Sequence, residues 1–260
     1  MPKDQMVLFV DMLGFAALTE SSGDLDEQSL EWTLGMSPES LSSGGMERFL
    51  SRDKTSALVV AFRRFHDIVE RANKGRIVDK PITYLSFSDS VCLVTVSKFQ
   101  VFKLACHVMR QLILARLPAR MGMGRGDFFP VRFGADWRVG DVGSSARAQF
   151  LGTGLVRAYA AGERSGVPGM RIILHESAIC AAKGGWLGAT PHLEVTTESC
   201  VVPPVELNYL HDQTPEAVVA IVNAVLEMRK NAPKLALHHY DETLDAMRLM
   251  RRDLNLPKSV

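Results

Sequence analysis

Residues 6–10, Met-Val-Leu-Phe-Val, are apolar without a break and rich in β-prone types, and an aspartate, Asp11, closes the run. A strand with no polar alternate positions has no face to offer water, so the pattern suits a strand buried on both sides of a sheet. Residues 12–20 then read as a turn entering a short helix. Two further carriers of helical spacing follow. Residues 46–72 place Leu58, Phe62, Phe65 and Val69 on one face before Asn73-Lys74-Gly75 stops the helix, and residues 99–117 form the second, ended by Pro118. Between them, residues 82–87 and 91–96 are β-rich runs separated by Ser88-Asp89-Ser90, a hairpin by pattern. Residues 120–129 read as one more strand.

That order is β-α-β-β-α-β, so the expected fold class is α+β with a ferredoxin-like core. The rest adds a helix at 152–165, strands at 171–175, 193–197 and 205–210, and two closing helices. Thr214-Pro215-Glu216 is a sound cap for the first of these, and residues 237–252 form the second. Residues 21–45, rich in Ser, Gly and Glu, read as an insertion or mobile loop with a short helix around 27–34. Without internal repeats or low-complexity tracts, the simplest account is one domain over 1–260, with 214–260 a C-terminal helical elaboration.

Composition narrows the partners. The 30 Lys and Arg nearly cancel 29 Asp and Glu, leaving +1, and this argues against a stable nucleic-acid partner, which draws affinity from a basic excess. No apolar stretch approaches the roughly 20 residues needed to cross a bilayer. Cys92, Cys106, Cys180 and Cys200 form no CxxC pair and read as free buried thiols. The opening Met1-Pro2-Lys3-Asp4-Gln5 has no cleavable signal pattern. The expectation is a soluble, cytoplasmic protein with no membrane partner. His238-His239 lie side by side on a helix and face different directions, so they read as a solvated face rather than a metal pair.

Two carboxylates stand out by position. Asp11 ends the first strand and Asp89 tips the hairpin. In this strand order the first strand lies centrally beside the returning arm of the hairpin, so both side chains can converge at one sheet edge. Paired carboxylates plus substrate phosphates are the usual way to hold Mg²⁺ or Mn²⁺. Two such ions roughly 3.5–4 Å apart clamp the attacking and leaving oxygens of an in-line phosphoryl displacement. Taken singly, Asp11 suits a helix cap and Asp89 a turn residue equally well.

The residues around them carry a family resemblance. Phe9-Val10-Asp11-Met12-Leu13-Gly14-Phe15, followed by Leu18-Thr19-Glu20, resembles the opening motif of class III nucleotidyl cyclases. Ser86-Phe87-Ser88-Asp89-Ser90-Val91 is similar to the family's second-metal hairpin, with Ser88 where Gly is usual. Arg120-Met121-Gly122-Met123-Gly124-Arg125-Gly126 resembles its next strand, and Phe150-Leu151-Gly152 its turn into the dimer-interface helix. Together the four matches cover most of residues 7–175.

The resemblance implies a homodimer with active sites shared across the interface. Asp11, the Met12 carbonyl and Asp89 would hold two Mn²⁺ or Mg²⁺ ions, and N–H groups of residues 12–15, among them Leu13, Gly14 and Phe15, would meet the triphosphate. The ribose 3′-hydroxyl would then attack the α-phosphorus and release pyrophosphate.

This sequence departs from the purine-cyclase pattern. Leu85, with Tyr84 beside it, stands where a base-reading Lys is usual, and Gln149 where the pattern has Asp. Val156 and Ala160 replace the interface-helix Asn and Arg. A neutral amide at Gln149 offers both donor and acceptor, matching the edge of uracil or of cytosine; its plain alternative is a solvated turn residue. Arg157 is the substitute cation on the same helix, with Arg120 and Arg125 as further candidates and a surface salt bridge as the plain alternative.

These departures resemble the stand-alone pyrimidine cyclases of the bacterial anti-phage system called Pycsar, which implies conversion of UTP to 3′,5′-cyclic UMP as a signal to a separate effector. Cytidylate cyclase is the variant reading. Two other classes compete: a catalytically inactive cyclase-fold module that binds nucleotide, and an RNA-binding module of the same strand order. Residues 120–126 lack the stacking aromatics the last would use.

Overall fold

The computed structural model describes residues 4–22, 54–74, 82–131, 149–182, 193–194, 205–254 and 256. The elements run β1 (Gln5–Met12), α1 (Phe15–Ser22), α2 (Lys54–Lys74), β2 (Thr83–Ser86), β3 (Ser90–Thr95) and α3 (Lys98–Leu114). They continue with β4 (Ala119–Gly126), β5 (Phe129–Val131), β6 (Gln149–Leu151), α4 (Thr153–Glu163), β7 (Ile172–Leu174) and α5 (Glu176–Ala182). The chain ends in β8 (Leu193–Glu194), β9 (Val205–Glu206), α6 (Pro215–Lys230), a 3₁₀ turn (Lys234–Ala236) and α7 (Leu237–Met250).

β1 lies centrally, as its uninterrupted apolar run requires. It pairs antiparallel with β3 on one side and β4 on the other, in a sheet of order β2-β3-β1-β4-β7-β9-β8. Met6, Leu8 and Val10 point to one face and are fully buried among side chains of α2, α3, α6 and α7, including Phe65, Leu112, Ile221 and Met247. Val7 and Phe9 point to the other face, where Leu85, Cys92, Phe128 and Ala158 make a smaller cluster under α4.

Packing on that second face depends on small residues. Arg120, Gly122, Gly124 and Gly126 alternate along β4 and so share one side of the sheet. A Cβ on Gly122 would lie 2.0 Å from the Ala158 carbonyl oxygen, and one on Gly124 would lie 2.5 Å from the Ala158 nitrogen. Only a strand without side chains lets α4 press backbone against backbone, and α4 answers with its own buried Gly154, Ala158, Ala161 and Gly162.

Two sequence expectations are corrected. Residues 120–129 are not one strand: β4 stops at Gly126, the chain bends at Asp127, and β5 pairs with β6 in a separate two-stranded sheet. The bend is held by the start of α4: the Asp127 N–H donates to the Thr153 hydroxyl (3.2 Å), and the Asp127 carbonyl accepts from the Gly154 N–H (3.1 Å). The helix α5 had no counterpart in the sequence reading; it opens where the His175 carbonyl accepts from the Ala178 and Ile179 N–H groups. The expected capping by Thr214 holds, its hydroxyl accepting from the Ala217 N–H at 3.3 Å. Cys92 and Cys106 are free and buried. The expected short helix in the 21–45 insertion lies outside the described residues. Among the described residues no helix is long and apolar enough to cross a membrane.

Candidate active site

Strand register brings the two aspartates together. Asp11 sits opposite Ser90, one residue past Asp89, and the Met12 N–H donates to the Asp89 carbonyl at 3.0 Å. A hydrogen bond from the Phe87 N–H to the Ser90 carbonyl (2.8 Å) closes the turn that carries Asp89. Asp11 shares the face of Val7 and Phe9, the side on which α4 lies.

Across the other edge of β1, Asp11 is in register with Arg120. The Arg120 guanidinium reaches both Asp11 (Nη2–Oδ2 3.6 Å) and Glu163 at the end of α4 (Nη2–Oε2 2.5 Å). Burial above all, then the charge of Glu163, push the Asp11 carboxyl up to about 7; Arg120 opposes this and Asp89 adds to it. Asp11 and Glu163 thus share one guanidinium, with Asp89 adding negative charge nearby. Two buried atoms beside them, Glu163 Oε1 and Arg120 Nε, have no hydrogen-bond partner among the described residues. Surplus negative charge and an orphaned oxygen around Asp11 fit a divalent cation. No group of three or more His, Cys, Asp and Glu among the described residues forms a metal cage. Magnesium-like ions seldom need one, since one or two carboxylates plus substrate phosphates suffice.

The phosphate-binding loop needs a correction. The Leu13 N–H is taken by the Pro118 carbonyl at 2.9 Å and the Met12 N–H by Asp89, so neither is offered to a ligand as expected. Gly14, at φ 77°, turns the chain into α1, a conformation that side chains avoid. From there the opening N–H groups of α1, those of Gly14 and Phe15 included, begin the run that has no partner within the helix.

The other expected residues scatter. Tyr84, half-buried on β2, puts its hydroxyl 3.3 Å from His66 Nδ1. Leu85 turns to the opposite face and is buried. Gln149 opens β6 opposite Val131, and its side chain lies outside the described residues. Arg157 does not join the aspartates within the chain: its Nη1 donates to the Arg125 carbonyl at 2.8 Å, at the far end of β4 from Arg120. At about 3.3 Å per strand residue, that end is some 16 Å from Arg120. Arg125 itself pairs with Asp4. The sequence reading missed Glu163 as a neighbour of Asp11. Its signal was the alternating glycines of β4, which fix where α4 must lie.

A cavity of ≈ 680 Å³ opens beside the start of α1, lined by Leu13, Leu18, Pro118, Leu235 and Tyr240 among others. Neither aspartate lines it, although Gly14 at the start of α1 does.

No protein-family model matches the chain, and no curated protein matches it. Solved structures do. A bacterial light-regulated adenylyl cyclase superposes with a TM-score of 0.50 at 12% identity, over 88% of this chain and 58% of that one. The guanylate cyclase domain of a protein from Catenaria anguillulae, in complex with GTP, gives 0.45 at 12% identity, over 78% of this chain and 93% of that one. An adenylyl cyclase from P. aeruginosa gives 0.42 at 16% identity, over 78% and 91%. The chain has the α+β fold of class III nucleotidyl cyclase catalytic domains.

Proposed function

We propose that the protein is a nucleotidyl cyclase that converts UTP to 3′,5′-cyclic UMP and pyrophosphate. The observation that carries this reading is the meeting of Asp11 and Asp89 at one sheet edge, in a cluster with more carboxylates than cations. Those two side chains, with the Met12 carbonyl, would hold two Mn²⁺ or Mg²⁺ ions. Such ions lower the pKa of a ribose 3′-hydroxyl and balance charge on departing pyrophosphate. The start of α1, after Gly14, takes the phosphates through its free N–H groups. Arg120 is close enough to answer negative charge that arrives beside Asp11.

Arg157 acts from a second copy of the chain, because within one copy it lies at the opposite end of β4. Phe87, Leu151, Val156 and Tyr159 are exposed apolar residues on or beside the face under α4, which supports a homodimer formed there. Leu85, on the face of Asp11, and neutral Gln149 offer no charged reader of the base and favour a pyrimidine, while Tyr84 lies on the opposite face against His66. CTP is the variant substrate. The chain works as a single cytoplasmic domain over 1–260 whose cyclic nucleotide signals a separate effector in anti-phage defence.

An inactive nucleotide-binding module is the second reading, favoured by Val156 and Ala160 where an Asn and an Arg are usual. Incubating the purified chain with each of the four NTPs and Mn²⁺, then weighing products by mass spectrometry, separates them. Cyclic UMP is expected; ATP turned over fastest defeats the pyrimidine reading. Tight NTP binding with no pyrophosphate release defeats catalysis.

A further inference from the structure

Resting on the reading that Asp89 holds a cation, we infer that His66 is a positioning residue, one that fixes the turn carrying Asp89 by donating its Nε2–H to the Ser88 carbonyl.

His66 projects from α2 onto the β2–β3 hairpin, with Nε2 2.9 Å from Ser88 O. A carbonyl only accepts, so Nε2 carries the hydrogen, and in the neutral ring Nδ1 is left as an acceptor. Nδ1 lies 3.3 Å from both the Tyr84 hydroxyl and the Ser86 hydroxyl, each able to donate. One imidazole therefore engages positions 84, 86 and 88, successive places along one edge of the hairpin. Its plane is held by Phe62 and Phe65, whose ring centroids are 4.4 and 5.1 Å away.

The consequence falls on Asp89. Its two flanking peptide planes are those that contain the carbonyls of residues 88 and 89. The first is pinned from α2 by His66, the second from β1 by the Met12 N–H. With both planes fixed, φ and ψ of Asp89 are fixed, and so is the direction of its Cα–Cβ bond. The turn Ser88-Asp89-Ser90 has no glycine or proline, and its own closing bond, from the Phe87 N–H to the Ser90 carbonyl, holds neither the Ser88 nor the Asp89 carbonyl, which are pinned from outside. Outer residues that orient a ligand in this way typically change cation affinity by about 10–100-fold.

The test is a Mn²⁺ titration of the nucleotide-free full chain, followed by electron paramagnetic resonance of the free ion. Wild type, Asp89→Asn, His66→Phe, His66→Asn and His66→Gln are compared, each with a thermal melt. His66→Phe keeps the ring packing and loses the donor. His66→Asn keeps a group near Nδ1 that cannot reach Ser88, and His66→Gln restores a donor near Nε2. Asp89→Asn should abolish binding, His66→Phe and His66→Asn should weaken it about tenfold, and His66→Gln should stay within about threefold of wild type. Unchanged Mn²⁺ binding in Asp89→Asn would overturn the cation reading itself. Loss there, with wild-type affinity in His66→Phe and His66→Asn, would overturn the role of His66 alone. A His66→Gln variant as weak as His66→Asn would overturn the bond to Ser88 as its cause. Should His66→Phe fail to fold, the Asn and Gln pair still decides.

Discussion

The two faces of the central sheet are built on opposite plans. On one, Met6, Leu8 and Val10 of β1 belong to a single large core with Phe65, Leu112, Ile221 and Met247, drawn from four helices. On the other, a single helix lies on bare glycine backbone, and beyond its end Asp11, Arg120 and Glu163 meet in a half-buried cluster. The first face places large side chains where dispersion and burial stabilise the fold. The second forgoes that gain. It leaves Phe87, Leu151, Val156 and Tyr159 exposed and holds unbalanced charge, which native proteins tolerate mainly where a ligand or partner completes the structure.

If that division is right, substitutions on the two faces should separate activity from stability. Asp11→Asn should cut cyclisation by more than about 100-fold while the thermal midpoint holds or rises, since it removes a charge from a crowded set of carboxylates. A folded, fully active Asp11→Asn protein would erase the distinction. Leu8→Ala should do the reverse. It should cost roughly 2–5 kcal/mol in a denaturant titration, with turnover per folded molecule nearly unchanged.

Gly122→Ala sharpens the comparison by testing what the second face does supply. Its new methyl group would meet the Ala158 carbonyl, so α4 must shift. A loss of about 1–3 kcal/mol is expected, together with reduced activity, because Glu163 at the end of α4 moves with it. Stability lost without any change in turnover would detach α4 from the site.

The smallest effect comes from the outer strands of the sheet, where Glu206, in register with Ile173, forms a buried ion pair with Arg171. Burial pushes the Glu206 carboxyl up to about 6, against the pull of Arg171. The folded protein therefore holds that proton more tightly than the unfolded chain does. The stability linked to protonation is complete below about 4.5 and is lost as pH rises through about 6. Glu206→Gln should flatten thermal stability across that window, and an unaltered pH profile would place the titration elsewhere.

Particular residues show how far the sequence could be read. Periodicity gave β1, the hairpin, α3, the closing helices and the C-terminal end of α2 within a few residues, because apolar spacing follows directly from which face an element buries; the expected start of α2 at 46 lies outside the described residues. It failed at Asp127. The break between β4 and β5 there is made by bonds to Thr153 and Gly154, far along the chain. The aspartates were legible because each ends or tips an element whose place in the sheet follows from strand order. Leu13 was misjudged, since the Pro118 carbonyl that takes its N–H belongs to a different element.

By itself, then, the order of amino acids determined the pattern of elements, the central position of β1 and the approach of Asp11 to Asp89. Local spacing governs all of these. Only the tertiary structure decided that Glu163 and Arg120 would share Asp11's surroundings, that His66 would grip the turn before Asp89, and that Arg157 would lie far from both aspartates. Those outcomes depend on the register between strands and on how closely a helix approaches a glycine-lined sheet, and such long-range geometry leaves no mark in the spacing of neighbouring residues.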